Sequence, residues 1–291
     1  MSALRPARTR PAPQAGRVLA ALAALVALGL GLWGCGPKPL REDSPPAAAL
    51  WAAFSGARAR ADGLTRGFSA SGSLNYAGPD KSMRVELELW GNPGDGPHGG
   101  RRDRHALRLD MSAGFGTPVA LWREDARGIE GYFPGERTRY VHADPRAGAA
   151  RMGLGVPLSL GDLAALVCGS YAGLVPARYD AARPAPQGGY VYEFSGPQPV
   201  SSLTLDAAGR PVVLAGRLHG VAWTLEAGAF DEAAALPEPR RLALRTASAT
   251  AIMRIKRLER REAPWPGDRL ALAVPEGTRT VPLELYETLD N

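Results

Sequence analysis

Two cysteines and four histidines are the residues of this chain best suited to covalent or metal chemistry. The histidines, His98, His105, His142 and His219, are scattered with no ligand-like spacing. No H-E-x-x-H, G-x-S-x-G or C-x-x-C occurs. Asp103 and Asp110 near His105 read better as charged loop residues than as an acid–base set. Cys168 follows Leu160, Leu163, Leu166 and Val167 at helical spacing, which suits a buried structural thiol. The adjacent "GSYAG" has the wrong order for a nucleophile elbow. These residues predict a protein that is not an enzyme, with no metal and no cofactor. Cys35 is different. It stands in "LWGCGP" at the end of an apolar run.

The segment before Cys35 positions it. Residues 1–17 carry Arg5, Arg8, Arg10 and Arg17 and no acid, and residues 18–33 form an uncharged run of 16 residues. A helix needs about 20 to cross a bilayer. A basic start, a short apolar run and a small residue at its end describe a signal peptide, residues 1–34. Leu32 three before Cys35 and Gly34 one before it resemble the bacterial lipobox, although Trp33 departs from the usual pattern. That resemblance implies diacylglycerol on the thiol and a third, palmitate-type chain on the freed amine. Two or more long chains hold a protein stably on a membrane. Gly36 in place of aspartate implies the outer membrane of a Gram-negative bacterium, facing the periplasm. Residues 35–46, "CGPKPLREDSPP", read as a flexible tether.

Without its four leader arginines the chain carries 31 basic against 29 acidic residues, which gives no case for nucleic acid. With Cys35 acylated, Cys168 has no partner for a disulfide, so stability must come from a core. Leu50, Trp51 and Phe54 predict an amphipathic helix from 45 to near Gly63. Strands follow at 68–76, 82–90 and 105–111. In the second, Met83, Val85, Leu87 and Leu89 alternate with Arg84, Glu86 and Glu88. Further short strands, a central helix within 155–176 capped by Ser159 or Gly161-Asp162, a polar loop at 180–189 and more strands to residue 260 complete an antiparallel pattern of about twelve strands. The predicted domain spans 47–263, with a C-terminal extension, 264–291. Residues 91–103 read as a long surface loop.

Three stretches resemble the LolB/LolA-like outer-membrane lipoprotein family: "LWAAFSGARARADGLTRGFSASGSLNY", "LRLDMSAGFGTPVALW" and "GVPLSLGDLAALVCG". They cover most of 50–170, in the family's order. The resemblance implies an α+β fold, mainly β, in which a strongly curved antiparallel half-barrel is covered on its concave side by helices. It also implies an apolar cavity that takes the acyl chains of lipoproteins handed over by a periplasmic LolA-like carrier. A lipid-anchored monomer would then insert them at the outer membrane. The alternative is an envelope assembly lipoprotein that uses the same fold to bind a protein. Leu87, Leu89, Leu107, Leu109, Val119 and Leu121 supply a candidate wall, and Leu163 and Leu166 a lid. The same leucines fit an ordinary filled core. The family's protruding tip residue corresponds to Phe115, between Gly114 and Gly116, as a membrane contact; the ring can instead fold back into the core.

Overall fold

The computed structural model describes residues 44–64, 66–79, 82–94, 105–154, 158–171, 174–196, 198–218, 221–231, 234 and 236–286. Residues 41–291 form one unit that contains every described helix and strand. Cys35, the signal peptide and the tether up to Asp43 lie outside the described residues, as does Asp103.

Helix α1 (Pro45–Leu64) forms where alanine is abundant and proline sits in the first turn, where a missing N–H costs nothing. Its buried Ala47, Trp51, Phe54 and Ala61 fall on one stripe. Trp51 meets Tyr179, Tyr192 and Phe194 with ring centroids between 4.9 and 5.9 Å apart. The Tyr192 hydroxyl donates to the Ala47 carbonyl at 2.7 Å, so the start of α1 is pinned to the sheet.

Strands β1 (Gly67–Ala77), β2 (Ser82–Asn92), β3 (Ala106–Ala113), β4 (Thr117–Asp125), β5 (Gly128–Phe133) and β6 (Thr138–His142) form an antiparallel meander. Two short helices, α2 (Pro145–Ala149) and α3 (Leu160–Val167), follow. A second meander comprises β7 (Ala181–Pro184), β8 (Tyr190–Glu193), β9 (Val200–Leu205), β10 (Pro211–Leu218), β11 (Val221–Phe230), β12 (Pro239–Thr246) and β13 (Thr250–Arg261). Pairing of β13 with β1 joins the two meanders, and β14 (Arg279–Pro282) adds to β6 in parallel. The result is one sheet in the order β14-β6-β5-β4-β3-β2-β1-β13-β12-β11-β10-β9-β8-β7. Its two edges do not meet, and a twisted sheet of this width curls.

The strand count exceeds the expectation because β7 lies in the segment read as a loop and β14 in the tail. Neither alternates; both are strands because a neighbour's backbone offers partners. The central helix is shorter than expected. Ser159 caps it in a capping box with Asp162, and Gly169, at φ 68°, ends it in a conformation that glycine adopts without strain.

The tail is part of the fold. Asn92 holds the Trp265 backbone in both directions, accepting from its N–H at 2.7 Å and donating to its carbonyl at 3.0 Å. The Trp265 indole donates to the Phe68 carbonyl, and Arg261 stacks on its ring at 4.1 Å. Further on, Leu270 is 1% exposed and the Ala271 carbonyl accepts from Arg108 at 2.8 Å. Arg108 faces away from the helices, so the tail crosses the outer face of β3 before β14 extends the sheet at β6.

One candidate wall residue lies on the other face. Leu121 does not share a face with Leu87, Leu89, Leu107 and Leu109, whereas Val119, at a bulge in β4, packs against their cluster. In β4 the buried side chains are Ala120, Trp122 and Glu124. Register sets Trp122 opposite Leu109 and Leu121 opposite Asp110 on the outer face. Both faces of β4 carry apolar residues, so alternation alone did not tell inside from outside.

Candidate functional site

The inner face of the sheet is an apolar surface closed at one end. Leu87, Leu89, Leu107 and Leu109 are each at most 4% exposed and belong to one continuous cluster with Trp51 and Phe54 of α1 and Leu166 of α3. Leu163 is half-buried against the same cluster.

Helix α3 is held across this face by a polar residue at each end. Pairing places Glu124, Leu107, Gly91, Phe68 and Arg260 in one row across β4, β3, β2, β1 and β13. At one end of the row the Glu124 carboxylate accepts from the N–H groups of Leu160 at 2.7 Å and Gly161 at 3.2 Å, the first residues of α3. At the other, Arg260 donates to the Cys168 carbonyl at 2.7 Å and pairs with Glu238 at 2.8 Å. A carboxylate at a helix N-terminus and a cation at its C-terminus both suit the helix dipole. Arg146 grips Asp162 through two bonds of 2.7 and 2.8 Å, which fixes the first turn again.

Glu124 was missed by sequence reasoning. It ends the strand "ALWRED" among other charges, and nothing local marks it as inward-facing. Only its alternation with Ala120 and Trp122 carries the signal. His105 is its partner, with Nε2 2.8 Å from Glu124 Oε1 and Nδ1 2.8 Å from the Pro93 carbonyl. Two acceptors ask for two N–H donors, which is the imidazolium form. Burial opposes that charge, but the Glu124 bond and charge, the Pro93 carbonyl and the nearby Asp125 outweigh it and hold the His105 pKa above its ordinary 6.5. A raised folded pKa means that the stabilisation is complete below about 6.5 and is lost as pH rises through the folded value. Melting temperature should therefore fall from near-neutral into mildly alkaline buffer, and His105→Gln should flatten that slope. Equal slopes would show that His105 does not contribute. The other acid near His105 in sequence, Asp110, is engaged by Arg108 at 2.8 Å instead.

Cys168 is 2% exposed, and burial pushes its thiol up to about 12, so it is a structural thiol. Among the described residues no group of histidines, cysteines and carboxylates is placed to hold a metal. Three buried donors, Trp122 Nε1, Trp223 Nε1 and the Tyr171 hydroxyl, have no hydrogen-bond partner among the described residues. A groove of about 420 Å³ has a mixed lining, in which Leu87, Met111, Pro118 and Leu121 stand beside the charged Glu86, Glu88, Asp110 and Lys256.

The other end of the inner face is less covered. There Leu74, Met83 and Leu244 are only partly buried. Six hairpin turns share this end, and the four central ones are β1–β2, β3–β4, β10–β11 and β12–β13. The β3–β4 turn carries Phe115, which is fully exposed. Gly114 and Gly116 sit at φ 56° and 84°, and a side chain on either would meet nothing within 4 Å. The turn stands clear of the fold, and the ring does not fold back into the core. Among the described residues the large apolar side chains that stand exposed are Phe115 and Val221, and Val221 opens β11 on the same rim.

No family profile and no curated protein sequence matches the chain. Solved structures do. A DUF1329 family protein from Desulfovibrio piger aligns over 78% of this chain and 100% of its own, at 10% identity and a TM-score of 0.52. That likeness shows a shared fold. A LolA superfamily protein from Nitrosomonas europaea aligns over 75% of this chain and 97% of its own, at 11% identity and a TM-score of 0.49. A Vibrio parahaemolyticus domain named for outer-membrane lipoprotein sorting aligns over 74% and 94%, at 10% identity and 0.49. The last two are looser likenesses and carry no weight alone. Among the described residues no helix is long and apolar enough to cross a membrane.

Proposed function

We propose that this protein is a lipid-anchored, non-enzymatic receptor of the LolB kind. It takes acyl chains of lipoproteins onto the inner face of its sheet and passes them to the outer membrane. The observation that carries this reading is the exposed Phe115 on the rim where the inner-face residues Leu74, Met83 and Leu244 are only partly buried. The three sequence stretches of the LolB/LolA family and the shared DUF1329 fold support it. Burial of a chain is favoured by about 25 cal/mol per Å² of apolar surface, so no covalent chemistry is needed. The unpartnered indoles of Trp122 and Trp223 and the phenol of Tyr171 offer donors to the ester or amide carbonyls that accompany such chains. Entry requires α1 and α3 to yield, because the wall leucines are packed against them.

A fluorescent fatty-acid probe tests this. Residues 41–291 should bind it, and Leu163→Glu should weaken binding, since the side chain is half-buried and the helix keeps its Ser159 cap. A folded wild-type protein that binds neither probe nor lipoprotein defeats the reading and favours the assembly alternative. The anchor has its own test. Cys35→Ala should abolish metabolic labelling with fatty acid and release the protein from the membrane; label retained in the variant would remove the lipobox assignment.

A further inference from the structure

We infer that the Phe115 rim is a two-pronged docking edge for an anionic phospholipid surface, with Val221 as the second prong and Arg84, Arg217 and Arg245 as its phosphate-binding collar. This rests on the reading that the rim faces a membrane, and it names the surface and the residues that recognise it. Phe115 and Val221 lie on hairpins whose nearest strands, β3 and β11, are five strand steps apart, about 24 Å along the sheet, on either side of the partly covered inner face. Val221 is 50% exposed, and its neighbour Ala222 is exposed as well.

The charge pattern separates this rim from the opposite end of the same strands. Among the described residues of the four turns and of the three strand positions on each side of them, the cations are Arg84, Arg217 and Arg245, and there is no carboxylate. Asp80 and Lys81 of the β1–β2 turn lie outside the described residues and add no net charge. The turns flanking these four, β5–β6 and β8–β9, do bring carboxylates. There Glu136 accepts from the Tyr140 hydroxyl and Glu193 pairs with Arg183. At the opposite end the turns carry Asp125, Asp206, Asp231 and Glu238, paired with Arg127, Arg210, Arg240 and Arg260. Arg217 is itself engaged within the chain and Arg245 has a partner in Glu226 at 3.4 Å, but Arg217 is exposed and the side chains of the Arg245 pair are nearly half exposed, so a phosphate can compete for both guanidinium groups. Apolar tips insert at the level of the acyl boundary while arginines reach headgroup phosphates, and a net positive collar is drawn to an anionic leaflet. An acidic protein surface would suit the arginines but would leave two isolated apolar prongs without a use.

Flotation of residues 41–291 with vesicles tests this, using pure phosphatidylcholine and phosphatidylcholine mixed with phosphatidylglycerol. Wild type should bind the anionic vesicles more tightly, by about fivefold for each engaged arginine, and high salt should remove the increment. Arg84→Gln with Arg245→Gln should lose most of it and leave binding to neutral vesicles unchanged. Val221→Glu should lower binding to both by about tenfold or more. Val221→Ser, which keeps the turn uncharged, should do so in the same direction. Equal binding to neutral and anionic vesicles, or wild-type binding by both folded Val221 variants, overturns the proposal, as does association with neither vesicle. The fatty-acid probe is run on the same preparations. Its retention by every rim variant is expected, and its absence in wild type counts against the acyl-binding reading alone.

Discussion

Glu124→Ala should cost the fold about 3–5 kcal/mol, the range for removing one partner from a buried charged network. Glu124 is 3% exposed, and its carboxylate serves three donors: the Leu160 and Gly161 N–H groups and the His105 ring. Alanine leaves all three without it in a place that water reaches poorly. For a chain of this size the melting temperature should fall by roughly 6–20 °C. Glu124→Gln keeps one acceptor oxygen for the helix and should cost markedly less. It should also remove the pH dependence assigned to His105, because the charge that holds the imidazolium is gone. Calorimetry of the two variants across pH measures both effects. An alanine variant that melts with the wild type would mean that α3 is held by Arg146–Asp162 and Arg260 alone.

Phe115→Glu should have the opposite profile: almost no effect on stability and a large effect on delivery. The ring is fully exposed between two glycines that touch nothing, so its replacement belongs with surface changes of about 0.5 kcal/mol or less. If the tip enters a bilayer, loss of a phenyl ring worth about 1.5–3 kcal/mol of burial should slow release to liposomes at least roughly tenfold. Acceptance of a lipoprotein from a carrier, which needs the inner face and not the tip, should be unchanged. The measurement is a two-step transfer assay with both steps followed on one preparation. Normal release by a well-folded variant would place membrane delivery elsewhere. Reduced acceptance with normal release would place Phe115 at the carrier interface instead.

The alternation in β2 and β3 was legible from residue types alone, because one face of each strand is leucine-rich and the other is charged. The same holds for α1, whose Trp51 and Phe54 lie on one stripe; at Phe115 the flanking glycines marked a turn, and the folded structure decided that the ring stands exposed. Residue types offered Ser159 or Gly161-Asp162 as the cap of α3, and the structure joins Ser159 and Asp162 in one capping box. Tertiary structure decided the rest. Which face of β4 points inward was set by its register with β3, which places Trp122 opposite Leu109 and Leu121 opposite Asp110. β7 and β14 became strands through pairing that their own residues do not announce. Glu124 became the anchor of a helix because register set it in one row with Leu107, Phe68 and Arg260. That row joins residues 68, 107, 124 and 260, and only the folded sheet brings them to one level beneath a single helix.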